Sequence, residues 1–143
     1  MGFNLAILIS GKGSNMLNIV DACNNKILSS NVKVVISNNK NSSGLAKVKK
    51  KGINTKIIDE IQIKKFEERL SKLLCEEKVD LVCLAGFMRI LSESFLCNWK
   101  KKIINIHPSI LPAWTLAAQA FNPFSQFERL YVFPESDERR VLV

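Results

Sequence analysis

The sequence predicts an α/β domain, and two observations carry that prediction. Short continuous apolar runs recur along the chain, and helical patterns separate them. Continuous apolar runs are typical of strands that are covered on both faces. A repeated strand–helix–strand succession with short links favours right-handed crossovers and a parallel sheet. We therefore expect a Rossmann-like open parallel sheet with strand order 3-2-1-4-5 and helices on both faces.

The first half of the chain alternates twice between strand and helix. Residues 5–9 are all apolar and predict the first strand, and a glycine-bearing turn then leads into a helical pattern that ends near Ile27. Residues 32–36 predict the second strand. Residues 44–51 are expected to form a helix that Gly52 closes at its C-terminal cap.

The second half repeats the alternation. Residues 55–58 predict the third strand, and residues 63–77 have the amphipathic periodicity of a long helix. The apolar run at 81–85 predicts the fourth strand. A short helix over residues 92–99 leads to a fifth strand at 102–106.

Length and composition fit one globular domain. The chain has 143 residues, of which 47% are hydrophobic and 24% charged. No apolar stretch is long enough to span a membrane, and the N-terminus does not resemble a secretion signal, so we expect a cytoplasmic protein with no membrane partner. The four cysteines are widely spaced without a C-x-x-C pair, which favours reduced, buried thiols and no metal site.

The net charge of +8 raises the question of nucleic-acid binding. Much of the excess lies in two lysine clusters, at residues 47–51 and 100–102. No aromatic residues interleave with them as base-stacking surfaces require. A solvated basic face that attracts small anions is the favoured interpretation, and a nucleic-acid binder is the alternative.

The single histidine, His107, follows the fifth predicted strand. Asn105 lies two residues earlier and points to the same side of an extended chain. An amide and an imidazole that face one spot suit a reaction in which a carbonyl oxygen gains charge while a proton moves. A core histidine bonded to a backbone carbonyl is the alternative.

The turn after the first strand lacks the third glycine of a dinucleotide fingerprint, because Met16 stands there. Ser37 and Asn38 end the second strand where an acidic residue would hold a ribose. Gly13 and Ser14 nevertheless open a helix, whose exposed amides could hold one phosphate. Ordinary strand-to-helix geometry with an N-cap is the alternative.

Three strings in order resemble the phosphoribosylglycinamide formyltransferases, the folate-dependent family of purine synthesis. They are ISGKGSN at residues 9–15, LAGFMRIL at 84–91 and INIHPSILP at 104–112. The resemblance covers residues 5–112. It implies a formyltransferase-type fold and formyl transfer from 10-formyltetrahydrofolate to the amine of glycinamide ribonucleotide, with no metal.

The resemblance also implies the site residues. Asn105 and His107 match two of the family's three catalytic residues. The backbone that would hold the substrate phosphate belongs to Gly13, Ser14, Asn15, Met16 and Leu17. The residues that would line the folate cleft, with Asn105, are Met88, Arg89, Ile90 and Leu91. Taken without the resemblance, Arg89 could be a surface arginine and Met88 a core residue.

Residues 113–143 do not align with the family pattern, which continues to a catalytic aspartate. They contain no lysine and no glycine but six of the eleven aromatic residues. We therefore expect a formyltransferase-like domain at 1–112, truncated at the C-terminal edge of its sheet, and an atypical tail at 113–143. A divergent C-terminus is the alternative. The competing functions are an inactive mononucleotide- or folate-binding module, a formyltetrahydrofolate deformylase and a methionyl-tRNA formyltransferase.

Overall fold

The computed structural model describes residues 2–100 and 102–106, with Ile106 described by its backbone alone. Five strands alternate with four helices along this part of the chain. The strands are β1 (Asn4–Ile9), β2 (Asn31–Ser37), β3 (Thr55–Ile57), β4 (Leu81–Ala85) and β5 (Ile103–Ile106). The helices are α1 (Ser14–Asn24), α2 (Ser43–Lys49), α3 (Ile63–Glu76) and α4 (Glu93–Asn98).

The five strands form one parallel sheet in the order β3-β2-β1-β4-β5, which confirms the predicted fold class and strand order. Element boundaries differ from the predictions by a few residues. Helix α1 ends at Asn24, three residues early, since Lys26 adopts a positive φ of 58°. Helix α2 ends at Lys49, and the turn that follows closes at Gly52 with a φ of 78°.

Strands β1 and β4 bury both of their faces, because successive side chains alternate between two apolar cores. Strand β3 lies at the edge of the sheet and is largely exposed. Ala6 and Leu8 of β1 belong to the core that α3 and α4 cover, where Phe66 and Leu70 pack. Leu5, Ile7 and Ile9 belong to the opposite core, which α1 and α2 cover. Helices therefore lie on both faces of the sheet, as predicted.

The burial predicted for the cysteines is correct only for Cys83, while Cys23 is half-buried. Cys75 and Cys97 are exposed. Leu74 and Phe66 place the apolar face of α3 against the core, and Cys75 falls one residue beyond that face. All four thiols are free. No helix in the described part of the chain is long and apolar enough to cross a membrane.

The topology places the candidate site at the carboxyl end of the sheet. Strands β1 and β4 are neighbours, although β2 and β3 lie between them in sequence. Ligands of open parallel sheets bind where the strand order reverses in this way. The segments that follow β1, β2 and β4 meet there. His107 and the segment 113–143 lie outside the described residues.

Candidate functional site

The turn between β1 and α1 leaves a helix end without a side-chain cap. Gly13 is the N-cap residue of α1 and adopts a φ of 71°, and its carbonyl accepts a hydrogen bond from Leu17 N–H at 2.9 Å. A Cβ on Gly13 would lie 2.6 Å from Cε of Met16, whose side chain is fully buried beneath the turn. The first amides of a helix have no acceptor within it, so those of Ser14 and Asn15 can bind an anion.

The start of α2 braces this turn from outside. The Gly11 carbonyl accepts hydrogen bonds from Ser42 Oγ at 2.7 Å and from Gly44 N–H at 3.1 Å. Gly44 packs so closely that an added Cβ would lie 3.0 Å from the carbonyl oxygens of Gly11 and Lys12. Sequence patterns gave no sign of this contact, because it joins segments about thirty residues apart.

A cavity of about 300 Å³ opens between this turn and the end of β4. Residues 10–15 form one wall, and Ala85, Gly86 and Met88 form the other. Its volume is at the lower end of the range for small-molecule sites. Three of the sequence-predicted phosphate residues, Gly13, Ser14 and Asn15, line it.

The segment 88–91 follows β4, and the side chain of Arg89 fixes its position. The Arg89 guanidinium donates hydrogen bonds to the carbonyls of Glu60 and Ile61 and lies 4.7 Å from the centroid of the Phe66 ring. Arg89 is therefore engaged with the loop before α3. Only the backbone groups of Arg89 remain available to a ligand.

The other residues of this segment divide between solvent and core. Met88 is 79% exposed, so the alternative of a core methionine is wrong, and Ile90 is exposed as well. Leu91 is buried in the core beneath α4. Beyond it, Ser92 N–H and Oγ both donate to the Glu67 carboxylate at 2.6 Å, which anchors the far end of the segment.

Asn105 lies on β5 opposite Leu84 of β4. Its side chain is 94% buried, because only 6% of its surface is exposed. Its Oδ1 has no hydrogen-bond partner among residues 2–100 and 102–106. Asn105 does not line the cavity, but Ala85, the residue after its strand partner, does. A buried side-chain oxygen normally accepts a hydrogen bond, so among the described residues Oδ1 keeps acceptor capacity that is not used.

The predicted pairing of Asn105 with His107 involves a residue outside the described part of the chain. It therefore remains a prediction. Cys83 of β4 is a buried titratable group near the site. Burial, and then the proximity of Cys23, raise its pKa to about 12. A thiol with that pKa stays protonated at neutral pH and is a poor nucleophile.

Comparison with known proteins agrees with this architecture. A sequence model described as formyl transferase matches residues 3–122. The human trifunctional purine biosynthetic protein adenosine-3 is 42% identical over 113 residues, which cover 77% of this chain and 11% of the human protein. Phosphoribosylglycinamide formyltransferase of Escherichia coli K12 is 38% identical over 114 residues, which cover 78% of this chain and 54% of the bacterial enzyme.

Solved structures give the same result. The phosphoribosylglycinamide formyltransferase of Anaplasma phagocytophilum is 40% identical, with a TM-score of 0.69 over 86% of this chain and 59% of that one. The enzyme of Brucella melitensis is 32% identical, with a TM-score of 0.73 over 87% of this chain and 68% of that one. The chain spans about half the length of the bacterial relative from Escherichia coli. On its sequence match and its fold, the chain belongs to the formyl transferase family.

Proposed function

We propose that the protein transfers a formyl group from 10-formyltetrahydrofolate to the amine of glycinamide ribonucleotide. The observation that carries this proposal is the uncapped start of α1, which opens into a cavity at the switch point of a formyl transferase fold. A phosphate is the ligand that such a helix end binds best. The relatives named phosphoribosylglycinamide formyltransferase support the choice of substrate.

The phosphate would be held by backbone amides, as the sequence resemblance implies for residues 13–17. Ser14 and Asn15 line the cavity and would supply amides of the first turn, with Met16 the next amide along the helix. Leu17 N–H is already bonded to the Gly13 carbonyl. Lys12 lines the same cavity and adds a positive charge near the phosphate. This arrangement favours one phosphate group over a dinucleotide.

The folate would bind along Met88, Arg89, Ile90 and Leu91 and reach Asn105. Backbone groups supply the polar contacts in this proposal, because the Arg89 guanidinium is engaged elsewhere and the Leu91 side chain is buried. The exposed side chains of Met88 and Ile90 offer apolar surface to an aromatic ring system.

The reaction would proceed by attack of the substrate amine on the formyl carbon. Asn105 would donate a hydrogen bond to the oxyanion that forms, a contribution of about 3–4 kcal/mol for one well-placed donor. His107 would move protons between the attacking amine and the departing folate nitrogen. The burial of Asn105 on β5, beside the strand whose end lines the cavity, supports its part in this scheme.

A formyl-transfer assay on the full chain tests the proposal. We expect turnover with glycinamide ribonucleotide, a loss of about 100- to 1,000-fold in kcat for Asn105→Ala, and a loss of about 100- to 10,000-fold for His107→Ala. Titration calorimetry measures the binding of each substrate to the same protein. Binding without turnover would refute the catalytic proposal and leave an inactive mononucleotide- or folate-binding module. Formyl transfer to methionyl-tRNA or to water would identify a different member of the family.

We also infer that the family-like unit comprises residues 1–112, with 113–143 as a separate tail. The match to the family begins at residue 3, which supports the first boundary, and it extends to residue 122, ten residues into that tail. The predictions of a cytoplasmic location, no metal and no nucleic-acid partner accompany the proposed function. A salt-dependent gel-shift experiment with DNA and RNA would test the last of these.

A further inference from the structure

One hydroxyl group joins the ends of three adjacent strands. Ser10 follows β1, and its Oγ donates a hydrogen bond to Asn38 Oδ1 at 2.7 Å. The same oxygen accepts a hydrogen bond from Met88 N–H at 2.8 Å. Asn38 follows β2 and Met88 lies beyond β4, and these two strands flank β1 in the sheet. Ser10 therefore lies at the centre of the candidate site.

The bond to Met88 fixes a segment that the sheet no longer holds. Pairing between β1 and β4 ends at Leu8 and Leu84. Gly86 then turns the chain away with a φ of 70°. The Met88 side chain is mostly exposed, whereas Phe87 before it is buried in the core. Beyond that buried ring, the Ser10 hydroxyl holds the Met88 amide at the start of the segment.

Ser10 and Met88 also line opposite parts of the same cavity. Ser10 begins the turn that ends at Gly13, the N-cap residue beside the proposed phosphate position. Met88 begins the segment proposed to bind folate. The Ser10–Met88 bond thus sets the distance between the two parts of the site. Asn38 keeps the hydroxyl hydrogen directed away from Met88 N–H, so that a lone pair faces that amide.

We propose that Ser10 is a positioning residue that couples the two substrate subsites, by holding the Met88 amide against the phosphate-binding turn. The proposal rests on the proposed function for its substrates but not for its geometry. Its consequence is specific. Loss of the Ser10 hydroxyl should affect the binding of both substrates, whereas loss of a brace that contacts only the turn should affect one.

The first experiment measures the bond itself. Magnetisation exchange with water, observed by NMR on the labelled full chain, gives the exchange rate of the Met88 amide. In Ser10→Ala we expect exchange about 2- to 10-fold faster, the equivalent of one lost hydrogen bond. Ser29→Ala removes an exposed hydroxyl at the opposite end of β2 and should leave the rate unchanged. An unchanged Met88 rate in Ser10→Ala would overturn the proposal.

The second experiment separates coupling from a general structural role. Ser10→Ala should raise the KM for both glycinamide ribonucleotide and 10-formyltetrahydrofolate by about 2- to 10-fold each. Ser42→Ala removes the brace on Gly11 alone and should raise only the KM for the ribonucleotide. Ser10→Thr keeps the hydroxyl and should restore both values. A rise in only one KM for Ser10→Ala would overturn the proposal.

Failure of Ser10→Ala to fold and failure of the wild-type chain to transfer a formyl group have different consequences. If Ser10→Ala does not fold, Asn38→Ala leaves the serine in place and should show a smaller change of the same sign in Met88 exchange; no change would overturn the proposal. If the wild-type chain transfers no formyl group, the proposed function fails, and the exchange rates alone decide whether Ser10 holds the Met88 amide.

Discussion

Gly44→Ala tests whether close packing of α2 shapes the turn that is proposed to bind phosphate. The added methyl group would lie 2.8 Å from Ile9 Cδ1 and 3.0 Å from the carbonyl oxygens of Gly11 and Lys12. The end of the Ile9 side chain can rotate away. The two backbone oxygens can retreat only if the whole turn moves.

The size of the effect follows from these distances. Ordinary contact begins at 3.4 Å, so each carbonyl must retreat by about 0.4 Å. Overpacking of this kind costs about 1–3 kcal/mol. At about 4 °C per kcal/mol for a domain of this size, the melting temperature should fall by about 4–12 °C. The displaced turn should also raise the KM for glycinamide ribonucleotide roughly ten-fold, the equivalent of about one hydrogen bond to the phosphate.

Calorimetric melting and steady-state kinetics measure the two effects. Gly11→Ala is the matched control for stability, because its methyl group would meet nothing within 4 Å and it lies in the same turn. Its melting temperature should stay within about 2 °C of wild type. If Gly44→Ala has the melting temperature and the KM of the wild type, α2 does not set the shape of the turn.

Three further predictions concern Arg89 and the cysteines. Arg89→Lys should lower the melting temperature and raise the KM for the formyl donor, because an ammonium group cannot reproduce the fork that binds two carbonyls; identical melting and kinetics would contradict this. Cys75 and Cys97 should react with a thiol reagent in the folded protein, whereas Cys83 should react only on unfolding, which mass spectrometry of the labelled protein would show. Because burial raises the pKa of Cys83, the folded protein keeps the thiol proton to a higher pH than the unfolded chain does. The free energy of unfolding is therefore at its full value below the unfolded pKa of about 8.5 and falls as pH rises toward about 12. Between pH 7 and pH 10 the free energy of unfolding of the wild type should fall by about 2 kcal/mol more than that of Cys83→Ala. Denaturant unfolding at both pH values measures this difference, and equal losses in the two proteins would refute the raised pKa of Cys83.

The elements of the fold could be predicted because each is encoded locally. The run at β1 is apolar at every position from Leu5 to Ile9, and Gly52 marks the turn after α2. The early end of α1 could not be predicted, because Lys26 adopts a positive φ that sequence patterns assign to glycine or asparagine. Tertiary contacts decide such a position.

The candidate site was predictable in its outline but not in its connections. The turn with Gly13 and the segment with Arg89 were both located from the sequence. The partners that fix them lie far away in the chain: Ser42 binds Gly11 across 31 residues, and Arg89 binds Glu60 across 29. No local pattern encodes such pairs, since serine and arginine side chains are common on surfaces.

The bare start of α1 has a consequence for how ligands can be found. At α4 the Ser92 side chain accepts a hydrogen bond from Phe95 N–H, but Gly13 leaves the first amides of α1 to whatever molecule occupies the cavity. Folding and occupancy are then thermodynamically linked, and a compound at 100 times its Kd should add about 2.7 kcal/mol to the free energy of unfolding. A collection of phosphorylated metabolites could therefore be ranked by thermal shift alone, before any turnover is measured.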